Sequence, residues 1–357
     1  MAFHADHIGS LLRPPDLLTA RRRRAAGEIS AGELRAIEDE AIKEAVAGQE
    51  ASGIGVITDG EFRRQDFRTG FVAAVDGIEM SSWEMPWHGS AGARKLTAHG
   101  FAVTGRLKQR ERVAGGEYSY LTSLTSAPVK VTLIAPGFLE DKFWRDGVTD
   151  KVYSSREELA ADVAAITRAE IEALIAEGVS YIQLDNPGYG SYLGPGAGSR
   201  EAFDRMAETD AAAVAGVTKP DGVVLALHIC RGNQSSMWMS EGAYDPIAEK
   251  LFSTVDVDRF LLEYDDERSG GFEPLRYVPA AKSVVLGLVT SKSPVLEPAG
   301  SLRRRIDEAA AYIDLGRLAL SPQCGFASVA EGGNQLTEAE QFAKLRLVAD
   351  VARSTWN

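Results

Sequence analysis

The chain has 357 residues, 45% hydrophobic and 25% charged, with 35 glycines and 14 prolines; such a composition buries a large core and excludes disordered, collagenous and fibrous classes. Its 39 Lys and Arg against 51 Asp and Glu leave a formal charge of −12, which repels nucleic acid and anionic lipid and points to a small-molecule partner, not to nucleic acid or a membrane. No apolar run reaches the roughly 18 residues of a membrane span, no signal-like segment opens the sequence, and two cysteines are too few for a disulfide scaffold, so a cytoplasmic location is expected.

Along the chain, short β-branched runs alternate with longer segments rich in Ala, Glu and Leu, the pattern of βαβ units around a parallel sheet. Strands are predicted at 3–9, 55–59, 129–134, 179–185, 223–229, 258–264, 283–289 and 317–321. Ser30 and Glu33, Ser155 and Glu158, and Thr337 and Glu340 form capping-box pairs that start helices, and 156–177 carries its apolar residues on one helical face. The basic run Arg21 to Arg24, inside a predicted helix, reads as a solvated face.

The stretch 78–127 breaks this rhythm. Trp83, Trp87, His88 and His99 lie among turn residues and short alternating runs such as FAVTG at 101–105. It is expected to be an inserted β-hairpin arm, serving as a lid or as a subunit contact in a homo-oligomer. GPGAG at 194–198 lacks the G-x-G-x-x-G spacing and reads as a mobile loop. Eight strands followed by helices, with no long linker, predict a single α/β domain over 1–357, a closed (β/α)8 TIM barrel; an open doubly wound sheet is the alternative.

In such a barrel chemistry collects where strands run into the loops that follow them. Those positions carry His7 and Ser10, Asp59 and Glu61, Asp185, His228 and Cys230, Glu263 and Asp265, Lys292, and Cys324. His228-Ile229-Cys230 places two donors at alternate positions of a strand end, so both face the same way. With Glu263 and Cys324 from two other strand ends, one imidazole, one carboxylate and two sulfurs match the donor preferences of tetrahedral zinc. Spacing alone leaves other readings open: a cysteine packs well as a small hydrophobe, His228 suits a core, and Glu263 has Arg268 as a basic neighbour.

HIGSLLRP at 7–14, TDGEFRR at 58–64, IQLDNP at 182–187, LHICRGN at 227–233, LLEYDDERSG at 261–270, VVLGLVTSKSP at 284–294 and LSPQCGF at 320–326 resemble the cobalamin-independent methionine synthases. The resemblance is closer still to their shorter, single-barrel relatives. It implies a methyltransferase of methionine biosynthesis in which His228, Cys230, Glu263 and Cys324 bind Zn2+ and the ion activates the thiol of homocysteine. It further implies that Ser10, Glu61 and Asp185 bind the amino-acid part, with Glu61 and Asp185 taking the ammonium through charge-assisted hydrogen bonds. A free thiol has a pKa near 8.5 and is mostly protonated at neutral pH, a handicap that coordination removes.

The chain departs from the family in its donor half. Its 357 residues leave no room for the second barrel of the full-length enzymes. Ala135 and Pro136 stand where the family has the tryptophan that stacks on the pterin, and Lys292 replaces the histidine expected to protonate the leaving amine. Asp185 and Lys292 are therefore the catalytic candidates, and the methyl donor is not assigned to methyltetrahydrofolate. Two other readings remain: an epoxyalkane:coenzyme M transferase type of thiol alkylation, and a non-catalytic structural zinc or thiol-binding protein.

Overall fold

The computed structural model describes residues 3–89, 92–194, 196–331 and 334–356, and the side chains of 83–99 lie outside the described residues, among them Trp83, Trp87, His88 and His99. Its strands are β1 (Val75–Gly89), β2 (Gly92–Gln109), β3 (Lys130–Ile134), β4 (Tyr181–Asp185), β5 (Val224–Ile229), β6 (Arg259–Glu263), β7 (Ser283–Val289) and β8 (Leu318–Pro322). β3 to β8 form one parallel sheet in chain order, and β1 pairs with β2 in a separate antiparallel ribbon. Helices connect the parallel strands except between β6 and β7, where two 3-10 turns, Glu267–Ser269 and Glu273–Tyr277, stand in for the expected helix. Gly270, Gly271, Pro274 and Pro279 break that connection.

The six later strands fall within two residues of their predicted positions, whereas the two earlier segments are not ladder strands. Ala5 bridges Leu320 of β8, and Ile57 bridges Val129 beside β3. Side chains replace the missing ladder bonds. Gln49 Nε2 donates to Thr58 O at 2.9 Å while its Oε1 accepts from Thr58 N at 3.0 Å. Gln183 Nε2 donates to Ile8 O at 2.7 Å, the Lys130 ammonium to His7 O, and the Thr58 hydroxyl to Gly9 O at 2.7 Å. Backbone groups satisfied in this way need no partner strand.

Alternation gives the sheet two different faces. Ile182, Leu184, Leu227, Ile229, Leu262 and Leu286 pack with the helices in the main core. On the other face Tyr181, Ala226, Leu261, Val285 and Ala319 join Ile8 and Val56 in a small apolar layer. Beneath that layer lies a buried charged hub. Asp6 accepts from Lys130 Nζ at 2.7 Å, from Tyr181 Oη at 2.6 Å and from Arg259 Nη1 at 3.3 Å. Burial works to raise the Asp6 pKa, but the two cations outweigh it and bring the carboxyl down to about 2.

The helix starts follow their caps. Ser30 and Glu33 exchange both bonds of a capping box before Ala31–Ser52, Ser155 accepts from Glu158 N ahead of Arg156–Ala176, and Thr337 and Glu340 bond reciprocally. The solvated-face reading fails for Arg21, which is buried in Pro15–Ala25 and donates to the carbonyls of Phe62 and Arg64 and to Glu38. The ribbon pairs from Val75 with Gln109 to Gly89 with Gly92, and its base packs Val75, Phe101 and Val103 against Phe138, Phe143 and Tyr153. Beyond it, 110–127 contains the helix Gly115–Leu124. The described part of 194–198 forms neither helix nor strand, and Pro195 lies outside the described residues. Among the described residues no helix is long and apolar enough to cross a membrane.

Asp6→Asn leaves Lys130 and Arg259 facing a neutral amide in a dry layer, and urea titration is expected to show a loss of about 3–5 kcal/mol. Because the folded carboxyl titrates below its ordinary value of 3.8, wild type holds this stability above that pH and loses it as the pH falls toward 2. The variant should lack that acid step; equal acid profiles would contradict the role of the hub.

A candidate metal centre at the carboxyl ends of the strands

β5 ends in His228-Ile229, and Cys230 follows. Alternation turns His228 and Cys230 to the same face as Ala226, away from Leu227 and Ile229 in the main core. Cys324 reaches them from the turn after β8. Its approach depends on Gly287 of β7, where a Cβ would lie 2.7 Å from Gln323 Cα and 2.9 Å from Leu262 O. Gln323 N then bonds Val289 O at 2.9 Å, and Ser291 N bonds Gln323 Oε1 at 2.6 Å, which fixes the turn. One ligand atom each from His228, Cys230 and Cys324 thus lies within 4.8 Å of the other two, and all three residues are buried. The sulfurs are 2.9 Å apart and belong to free cysteines.

The three groups of this triad shift one another's ionisation. The Cys230–Cys324 hydrogen bond, together with burial, pushes the Cys230 thiol up. The same bond and the neighbouring His228 pull the Cys324 thiol down against the effect of burial. For His228 burial opposes the charged form, but the Cys324 sulfur and the Asp185 carboxylate outweigh it and raise the pKa. His228 Nδ1 lies 3.3 Å from Leu261 O, which leaves Nε2 buried without a hydrogen-bond partner. An imidazole oriented through one nitrogen with the other free beside two sulfurs fits a zinc ion in donor type and arrangement.

Glu263, the last residue of β6, is fully buried but lies outside the triad. Its Oε1 is 3.1 Å from Lys292 Nζ and 3.5 Å from Arg268 Nη2, and its Oε2 accepts from Arg231 N at 3.2 Å. Burial pushes the Glu263 carboxyl up to about 6 against the pull of Lys292. Lys292 also lies 3.6 Å from Asp265. Burial alone would lower its pKa, but Glu263 and Asp265 reverse this and raise it. Three of the four expected ligands therefore converge, and the fourth stands next to them in an ion pair with Lys292 and Arg268. Arg268 in turn stacks over Trp238, 4.4 Å from the ring centre.

The other sequence-selected residues form a carboxylate lobe. Asp185 ends β4 and accepts from Gln183 Nε2 at 2.8 Å. Burial pushes it up to about 7, with His228 opposing and Glu61 adding to the rise. Glu61 has φ of 59°, a left-handed conformation that costs a non-glycine residue about 1–3 kcal/mol and recurs at functional sites. The Thr132 hydroxyl donates to Glu61 Oε1 at 2.9 Å, while Glu61 Oε2 and Asp59 Oδ2 are buried with no hydrogen-bond partner. Ser10 is pressed against Gly325, where any Cβ would collide with its hydroxyl. Ala135 and Pro136, where the resemblance implies a tryptophan, are both buried beside this lobe, and Ala135 N donates to Asp185 O at 3.0 Å.

Sequence reasoning misses the groups that hold this lobe in place. Arg13 is 6% exposed and donates to Leu11 O at 3.2 Å, Ala327 O at 2.5 Å, Glu61 O at 2.8 Å and Arg64 O at 3.3 Å. Arg64 pairs with Glu117 and donates to Thr132 Oγ1 at 3.1 Å. Asn233 donates to Ser291 Oγ at 2.8 Å and to Gly325 O at 2.6 Å, tying the two cysteine-bearing turns to the loop of Lys292. The one signal for Arg13 is a charge placed directly between the run IGSLL and Pro14.

Comparison with known proteins shows the family. The profile of the cobalamin-independent synthase catalytic domain matches residues 3–354. The protein YxjG of Bacillus subtilis (strain 168), whose function is uncharacterized, is 40% identical over 366 residues, covering 99% of this chain and 95% of its own. A methionine synthase of Thermococcus kodakarensis is 27% identical over 89% of this chain and 85% of its own. A crystal structure from Listeria monocytogenes, described as a vitamin-B12-independent methionine synthase, superimposes with a TM-score of 0.77 at 29% identity, covering 99% of this chain and 98% of that one. The chain belongs to the family of the cobalamin-independent methionine synthase catalytic domain, a family of methyltransferases.

Proposed function

We propose that the chain is a zinc-dependent thiol S-methyltransferase that methylates homocysteine to methionine, using a donor not assigned to methyltetrahydrofolate. The observation that carries this reading is the buried imidazole and two sulfurs within 4.8 Å of one another, next to a lobe of carboxylates suited to an ammonium. His228 Nε2, Cys230 and Cys324 would hold the ion, with Glu263 as the fourth and exchangeable ligand. A zinc ion bound there supplies the Lewis acidity that keeps a substrate sulfur as thiolate near neutral pH. The single-domain reading of 1–357, with an insertion at 78–127, is part of this proposal, as is the closed (β/α)8 barrel. The bridges of Ala5 and Ile57 to the two sides of the sheet, and the bond from Gly55 N to Ala5 O at 3.1 Å, support ring closure.

The chain's own groups divide the work. Asp185 and Glu61 accept from the substrate ammonium, Glu61 through the oxygen that has no partner. Ser10 borders the same lobe. With the amine fixed, the thiolate sulfur reaches the donor methyl in line: the sulfur–carbon bond forms, the donor–methyl bond breaks, and the electron pair leaves with the donor. Lys292, raised above its ordinary pKa by Glu263 and Asp265, holds its proton too tightly to act as an efficient acid near pH 7 and serves as a counter-ion. The carboxylate lobe also works against an anionic thiol such as a sulfonate, which weighs against the coenzyme M reading.

Zinc K-edge absorption of the loaded protein is expected to report two sulfur ligands and a third on adding homocysteine; a shell that ignores homocysteine would sink the proposal and favour a closed structural site. Cys324→Ser should lose zinc on dialysis and lose methionine formation while keeping the wild-type circular dichroism. A third expectation concerns pH. Asp185 titrates near 7, so it is neutral below that pH and ionised above it, and ammonium capture needs the ionised form. Calorimetry on zinc-loaded protein should show homocysteine affinity rising with pH up to about 7 in wild type by more than in Asp185→Asn, the bound cation drawing the Asp185 midpoint downward. The variant should bind roughly 10- to 100-fold more weakly above that pH. Thiol ionisation is common to both proteins, so their difference reads Asp185.

A further inference from the structure

We infer that Lys292 is a positioning residue for metal occupancy: it competes with the ion for Glu263, and so sets how readily that carboxylate enters and leaves the coordination shell. This rests on the zinc reading above. Glu263 has no exposure and cannot be left uncompensated in the dry interior. Whenever it is not a ligand it needs a cation, and Lys292 Nζ at 3.1 Å is nearer than Arg268 at 3.5 Å.

The geometry assigns the moving part. The backbone of Lys292 is anchored on both sides of the metal triad. Ser291 N bonds Gln323 Oε1 at 2.6 Å, next to Cys324, and Ser291 Oγ accepts from Asn233 at 2.8 Å, beyond Cys230. Lys292 N is itself capped by Thr290 Oγ1 at 3.2 Å. Glu263 is anchored through its backbone, with Tyr244 Oη accepting from its N at 3.0 Å. The moving part is the Glu263 side chain, held at Oε1 by Lys292 and at Oε2, at 3.2 Å, by the N of Arg231, the residue after Cys230, and turning from Lys292 toward the sulfurs and imidazole on entering the shell. When substrate sulfur takes the carboxylate's place, Lys292 receives it, so the displaced anion is never without a partner. Lys292 also stays paired with Asp265 at 3.6 Å when Glu263 is away.

The test measures zinc affinity by competition with a chromophoric chelator, together with zinc K-edge spectra, for wild type, Lys292→Met, Lys292→Arg, Glu263→Gln and the Lys292→Met/Glu263→Gln double variant. Lys292→Met should bind zinc about 10-fold or more tightly, the size of effect expected from a group that orients a ligand. It should also retain its oxygen ligand when homocysteine is added. Lys292→Arg should stay near wild type, and the gain should vanish in the Glu263→Gln background. Equal affinities of Lys292→Met and wild type, both with two sulfur ligands, overturn the inference and leave the zinc reading intact. Wild type that takes up no zinc on sulfur overturns the zinc reading itself. Should Lys292→Met not fold, acetic anhydride labelling of wild type provides the decision. Lys292 should be labelled several-fold faster in zinc-loaded than in metal-free protein, and an unchanged rate overturns the inference.

Discussion

Desolvated negative charge at the carboxyl ends of the strands is the constraint on which the rest of the molecule depends. Glu263, Asp185, Glu61 and the Cys324 sulfur are all buried at one rim, and burial pushes Glu263 and Asp185 upward. The nearby guanidinium of Arg13 acts on Glu61 through its charge, while its hydrogen bonds go to four backbone carbonyls. Lys292 and Arg268 serve Glu263 and Asp265. Among the described residues no cation forms a direct ion pair with Glu61 or Asp185 or sits inside the sulfur–imidazole triad, although Arg13, Arg64 and Lys292 act on them from nearby. The divalent ion and the ammonium of the proposed function would supply direct partners at those two places.

The opposite end of the same face is organised in the reverse sense. There two cations surround a single carboxylate, Asp6, and the apolar layer of Ala226, Leu261, Val285 and Ala319 separates this hub from the metal triad. Each strand contributes to both ends through its period of two. β4 runs Tyr181, Gln183, Asp185 along one face, and β6 runs Arg259, Leu261, Glu263. The residues that carry the proposed chemistry are continuous with those that hold the interior together, so the site has no separate scaffold.

Much of this was legible in the sequence, and the gaps have a common cause. Strand positions from Lys130 onward follow from apolar runs, and helix starts follow from hydroxyl–carboxylate spacings, because both signals are local. The convergence of His228, Cys230 and Cys324 was accessible from one H-x-C pair and a second cysteine at a strand end. What escaped depends on side chains meeting across long separations. Gln49 and Gln183 standing in for ladder bonds, Arg21 turning inward from a basic run, and Lys292 claiming Glu263 leave no pattern in neighbouring residues. The helix expected between β6 and β7 failed because Gly270, Gly271 and Pro274 outweigh the general rhythm of the fold. The family resemblance, carried by whole motifs, is supported across 3–354.

The guanidinium of Arg13 joins the loops that follow the first, second and last strand segments through Leu11, Glu61, Arg64 and Ala327. Three stretches far apart in the chain therefore behave mechanically as one rigid plate. A pocket cut into such a plate would lose little freedom on docking of the proposed amino-acid substrate, so recognition of its amine would proceed as lock and key, with the entropy of ordering already lost during folding.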